Sequence, residues 1–208
     1  MALSDLSFKF YTDSGLTSSY SGTTLLNHKT DLSDNPQDFV LYFGSAEATG
    51  TRTLKATSNP GVDNITLTPT DTVTNWAAAV VRTLNDIVEP STPNTYRYKC
   101  TTAGTSHATT EPTWPTTPLG STVTDGTAVW TLISKKHPTT ECKLALTSGG
   151  LAGATAGAAL VLGTTLESGS ANAVQVNVRI TNTVTTVVDT TGKPDFKLYI
   201  NEVIEAEV

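Results

Sequence analysis

The stretch Ala173-Val174-Gln175-Val176-Asn177-Val178-Arg179-Ile180 alternates apolar and polar residues, with Val174, Val176, Val178 and Ile180 on one face. A period of two with β-branched residues on the apolar side reads as a half-buried strand. A denser run, Asp38-Phe39-Val40-Leu41-Tyr42-Phe43-Gly44, has the composition of a central strand. Around these two lie weaker copies of the same signal. They are Leu6 to Tyr11, Thr51 to Thr57, Ile65 to Pro69 (which Pro69 should close), Cys142 to Leu146, Ala159 to Leu162, and Phe196 to Val203 with an extension to Val208. Ser58-Asn59-Pro60-Gly61 and Asp189 to Pro194 read as turns. The segment Asn75 to Asn85 is ambiguous, because Ala77 to Ala79 favour helix and Val80-Val81 favour strand; it is read as strand or loop.

Composition agrees with this pattern. Threonine makes up roughly one residue in five of the 208, and charged residues only 15%. Polarity supplied by a β-branched residue suits a pleated, half-wet surface and argues against a helical chain. The net charge of −6 and the scattered basic residues, of which Lys135-Lys136 is the densest pair, argue against nucleic acid and anionic membrane as partners. No signal peptide or membrane-spanning run is legible, so the expected place of synthesis is a cytoplasm. In that setting Cys100 and Cys142 are expected as free thiols, with a pairing across the middle of the chain left open.

Two proline-rich joints, Glu89 to Asn94 and Lys135 to Thr140, bracket a stretch with its own aromatics. The expected architecture is all-β: an antiparallel, immunoglobulin-like β-sandwich made of residues 1–89 and 141–208, interrupted by a small inserted β module at 90–140. Within the insert, Asp125-Gly126 between Val123 and Val129-Trp130 is a hairpin signal. Trp114 and Trp130 are expected to fill the module's core. The competing reading makes Tyr96, Trp114 and Trp130 an exposed aromatic platform for sugar.

The insert carries Tyr96-Arg97-Tyr98-Lys99-Cys100-Thr101-Thr102-Ala103-Gly104-Thr105-Ser106, then Thr110-Glu111-Pro112-Thr113-Trp114-Pro115, then Thr122-Val123-Thr124-Asp125-Gly126-Thr127-Ala128-Val129-Trp130-Thr131. This order resembles a small β module that recurs in virion proteins of tailed bacteriophages. The flanking sandwich, through Phe39 to Ser45, Leu151 to Thr165 and Ala171 to Ile180, resembles phage capsid decoration (cement) proteins. The resemblance implies a non-enzymatic structural role on the outer capsid surface of a virion made in a bacterial cytoplasm. It also implies the major capsid protein as partner and a homo-oligomer, trimer or dimer, as the state. The alternative it allows is a tail or fibre component that binds a host receptor glycan through the insert.

Residues that could carry other chemistry fit their surroundings better as loops. His28, His107 and His137 sit among small polar residues, and Thr105-Ser106-His107 has no nucleophile elbow. Asp31, Asp34 and Asp38 crowd one loop but lack the spacing of a calcium loop. Glu202, Glu205 and Glu207 read as a solubilising edge. The Gly/Ala passage 149–159 and Gly192-Lys193 lack the pattern of a phosphate loop. No catalytic residue, cofactor or metal site is expected.

Overall fold

A computed structural model describes residues 6–20, 22, 31–183 and 196–208. The chain forms two compact units: one of 1–70, 139–183 and 196–208, the other beginning at Asp71 and running to Pro138. The described residues are nearly all β, with only short 3-10 turns besides. His28, the Asp189 to Pro194 turn and Gly192-Lys193 lie outside the described residues.

The first unit is a sandwich. One layer is a four-stranded sheet of β1 (Phe8–Tyr11), β2 (Gln37–Ser45), β15 (Val174–Ile180) and β12 (Cys142–Ala145), in that order and antiparallel throughout. The stretch that decides the fold is therefore a central strand, its Val176 opposite Leu41 and its Val178 opposite Phe39. Against this layer pack two three-stranded sheets. One has β4 (Ile65–Asp71) between β13 (Leu160–Gly163) and β16 (Phe196–Ile200). The other has β3 (Arg52–Ala56) between β14 (Thr165–Glu167) and β17 (Val203–Glu207). The period of two puts Phe8, Phe43, Val176, Val178 and Leu144 from one layer against Leu54, Ile65, Leu67, Leu166 and Ile200 from the other in a single buried core.

Several details depart from the sequence pattern. Pro69 does not close its strand. β4 continues to Asp71, because β13 pairs only with Ile65 to Leu67 and asks no N–H of Pro69. The C-terminal run is two strands in different sheets. Asn201 makes the corner, accepting from the Thr66 N–H (2.8 Å) and donating to the Asn64 carbonyl (3.0 Å). The C-terminal carboxylates are not all solubilising. The Glu205 side chain is 6% exposed and accepts from the Ser7 N–H (2.7 Å) and hydroxyl (2.5 Å), which ties β17 to the approach of β1. The Gly/Ala passage is structural: Leu151 is buried, and the Gly157 N–H donates to the Cys142 carbonyl (2.7 Å), occupying the open edge of β12.

The second unit starts earlier than the proline joint at 89/90. Its main sheet runs β10 (Thr122–Asp125), β11 (Ala128–Lys135), β8 (Tyr96–Thr102), β7 (Ile87–Glu89) and β5 (Thr74–Asn75). β7 pairs antiparallel with β8, and β5 joins parallel to β7, so 71–89 belong here. The ambiguous segment is strand and loop, with β6 (Val81–Arg82) paired to β9 (Gly104–Thr105). The core is Val88, Tyr98, Cys100, Trp130 and Leu132, with Tyr96, Trp114, Leu119 and Val123 packed on it.

Candidate functional site

The motif residues of the second unit first make a fold. β10 and β11 form a hairpin through Gly126-Thr127, and Gly126 has φ +63°, the sign a tight turn requires. The turn lies directly on β9. The Thr127 N–H donates to the Thr105 carbonyl (3.0 Å), and the Thr105 N–H donates to Thr127 Oγ1 (2.8 Å). A Cβ on Gly126 would stand 2.3 Å from the Thr105 carbonyl oxygen, and one on Gly104 would stand 2.4 Å from the Thr127 carbonyl carbon. Both glycines are thus required by backbone meeting backbone.

Asp125 is the hub. Its buried carboxylate accepts from the His107 N–H (2.7 Å), the Trp76 indole (2.8 Å) and the Trp130 indole (3.1 Å). Burial pushes its pKa up, but the bonds from the His107 N–H, Trp76, Trp130 and Ser106 outweigh it and hold the carboxyl below its ordinary range. Trp130 is fully buried, with Arg82 5.7 Å above its ring and Trp114 against it edge-on at 6.0 Å. It is core and cannot touch a sugar, which corrects its place in an exposed platform. Tyr96 and Trp114 are half-buried.

A buried charge cluster escaped the sequence reading. Glu89 and Arg97 are 2% and 1% exposed, with Glu89 Oε1 3.3 Å from Arg97 Nε. Asp71 meets Arg97 Nη2 at 3.1 Å and also pairs with Lys136. Lys136 donates to Glu89 Oε2 at 2.8 Å. Burial opposes charge on Asp71 and Lys136 alike; the bonds to Lys136 nevertheless lower the Asp71 pKa, and those to Asp71 and Glu89 raise that of Lys136. Asp71 opens the unit and Lys136 lies near its end, so the cluster clasps the entering and leaving chain. Only the Lys135-Lys136 pair hinted at it.

The open surface of this unit carries a shallow cleft of about 340 Å³ lined by Pro90, Thr92, Asn94, Glu111, Pro112 and Trp114. Tyr96 and Trp130 do not line it. A smaller one of about 240 Å³ lies beyond Glu111 and Pro112, beside His107 and Gly126. His107 is exposed, and its Nδ1 accepts from the Thr110 N–H (3.0 Å) as part of a turn.

In the first unit the three loop aspartates separate. Asp38 takes a two-bond pair with Arg179 (2.7 and 2.6 Å), Asp34 accepts from Gln37 (3.0 Å), and Asp31 accepts from the Ser33 N–H (3.0 Å). Cys142 is buried in the sandwich core, and burial pushes its thiol up to about 12. Cys100 is buried in the other unit, its pKa raised by burial and then by Asp86, and both thiols are free. The outward face of β4 is Thr66, Thr68 and Thr70, beside exposed Val161 on β13 and exposed Tyr199 on β16.

No protein-family model matches this chain, and neither does any characterised protein or solved structure.

Proposed function

We propose that this chain is a non-enzymatic structural protein of a tailed-phage virion, a decoration protein that binds the outer capsid surface and bridges neighbouring capsomers. The observation that carries the reading is the outward face of the β13-β4-β16 sheet. There Thr66, Thr68 and Thr70 form a row flanked by Val161 (45% exposed) and Tyr199 (40%). A sheet face of this kind offers methyl groups and hydroxyls to a partner and asks few charges to leave water, which is where buried interfaces lose most. Repetition over many copies would let a modest single contact hold the shell. The resemblance of the stretch from Tyr96 to Thr131 to the recurrent phage module supports the virion setting.

The test is co-sedimentation with emptied heads of the phage that encodes the chain. The unaltered protein is expected to pellet with heads. A Thr66→Lys, Thr68→Lys double variant, changed only on the outward face, is expected to stay in solution while keeping its melting temperature. Equal pelleting of the two would remove this face from the interface, and no pelleting of either would overturn the reading.

A further inference from the structure

We propose that the cleft beside Trp114 is a binding site for a neutral pyranoside. Three features converge there, and none depends on the capsid reading. First, the Trp114 ring is fixed. It packs against Tyr98 with ring centroids 4.4 Å apart and the planes tilted by 40°, meets Trp130 in an edge arrangement, and donates its indole N–H to Glu111 Oε1 (2.8 Å). Tyr98 is itself locked, accepting from Asn94 Nδ2 (2.8 Å) and donating to the Pro115 carbonyl (2.8 Å). A ring held in this way and half-exposed in a cleft is a preorganised platform for the C–H face of a sugar.

Second, the polar groups beside it are complementary and incompletely used. Glu111 Oε1 accepts from the Ser91 N–H (2.8 Å) as well as from Trp114, and Oε2 accepts from the Ser91 hydroxyl. A carboxylate has about four acceptor positions, so Oε2 retains one. Asn94 uses one amide hydrogen on Tyr98, and its Oδ1 accepts from the Tyr96 N–H (3.1 Å), so one amide hydrogen remains. A fixed acceptor and a fixed donor beside an aromatic face match vicinal hydroxyls, each of which can both accept and donate.

Third, the cleft is of ligand size, about 340 Å³, at the small end of the range for such sites. The carboxylate of Glu111 sets the class: it accepts from neutral hydroxyls and repels uronic and sialic acids. Pro90 and Pro112, with little freedom to lose, hold the walls.

The test is NMR titration of the full-length ¹⁵N-labelled protein with lactose, maltose and N,N′-diacetylchitobiose, each in parallel with sialyllactose. The three indole N–H signals, Trp76, Trp114 and Trp130, report separately. At least one neutral disaccharide is expected to shift the Trp114 signal with a Kd on the order of 1 mM. Glu111→Gln replaces the remaining acceptor with a donor and should weaken binding by about ten- to a hundredfold, the value of one good hydrogen bond to a charged group. Thr92→Phe, at an exposed position on the rim, should abolish binding with the fold intact. The same pyranoside could come from a free saccharide or from a cell-envelope polysaccharide. Retention of the protein on intact host cells, competed by the active disaccharide, identifies the second source; a shift without retention identifies the first. The proposal fails if no neutral disaccharide moves the Trp114 signal at about 50 mM, a concentration that would populate even a 10 mM site. It also fails if only sialyllactose binds, or if Thr92→Phe leaves binding unchanged.

Discussion

Trp130→Ala should unfold the second unit and leave the first folded. Trp130 is fully buried, donates to Asp125, meets Trp114 edge-on and lies under Arg82. Truncating a buried tryptophan to alanine costs about 3–5 kcal/mol in transfer and cavity terms. The unit has about 70 residues, and stabilities of roughly 0.05–0.15 kcal/mol per residue put the whole of it at about 4–10 kcal/mol. The loss is therefore comparable to what holds the unit together. At about 4–8 °C per kcal/mol for a domain of this size, its melting temperature should fall by at least ~12 °C. Hydrogen exchange read by mass spectrometry separates the two units. Peptides from Tyr96–Thr102 and Ala128–Lys135 should lose protection, while those from Gln37–Ser45 and Val174–Ile180 should keep it. Trp130→Phe, which keeps a ring but drops the indole donor, should show an intermediate loss, because Asp125 retains Trp76 and the His107 N–H. Unchanged exchange in β8 and β11 would refute the placement of the core. Loss of protection in β2 and β15 as well would refute the independence of the sandwich.

Acid should weaken the second unit through Asp125. Its folded pKa is depressed, so its contribution is complete above the unfolded value near 3.8 and is lost as pH falls through the lower folded value. Asp125→Asn should therefore lower the melting temperature at pH 7 and flatten its fall as the pH drops below the ordinary carboxylate value near 3.8, as read by thermal melts at successively lower pH. Glu89→Ala leaves Arg97 buried beside one fewer carboxylate and should cost about 3–5 kcal/mol by denaturant unfolding. Glu89→Leu with Arg97→Met, which removes both charges, should recover most of that. Gly126→Ala, which drives a Cβ into the Thr105 carbonyl at positive φ, should destabilise the hairpin by more than about 2 kcal/mol. Cys142 should resist Ellman's reagent at pH 8 in the folded protein, and two thiols should react once the chain is unfolded.

What the sequence made legible was whatever obeys a short period. Val174 to Ile180 and Asp38 to Gly44 announce central strands, since alternation is enforced wherever one face is buried. The hairpin signal at Asp125-Gly126 is local chemistry and equally plain, although the turn itself sits one residue further on, at Gly126-Thr127. Beyond that range the signal fades. Nothing local tells that Asn201 turns a corner between sheets, that Glu205 is tied to Ser7, or that Asp71, Glu89, Arg97 and Lys136 meet. These contacts join residues far apart in the chain, and a charge carries no periodic mark of burial. The proline joint at Glu89-Pro90 looked like a boundary because prolines interrupt pairing. Yet Ile87–Glu89 pairs with β8, and the second unit begins at Asp71, the last residue of β4.

The aromatics show the same limit at the candidate site. Tyr96, Trp114 and Trp130 are alike in sequence, but a strand's parity buries Trp130 while the proline-braced loop leaves Trp114 half-open. Thr92 and Asn94, which help complete the cleft, carry no motif of their own, and Glu111 is part of the quoted Glu111-Pro112-Thr113-Trp114-Pro115 element but bears no mark of lining a cleft. The threonine excess is also divided. Part of it is turn and hairpin chemistry, as at Thr105 and Thr127, and part faces outward along β4.

The proposed role has the sandwich reinforce a capsid through its threonine face. Differential calorimetry of emptied heads, with and without saturating protein, measures that directly. The head transition is expected to rise with added protein and to return to its bare value with the Thr66→Lys, Thr68→Lys variant. A head transition that does not move when the unaltered protein is added would contradict the proposed role.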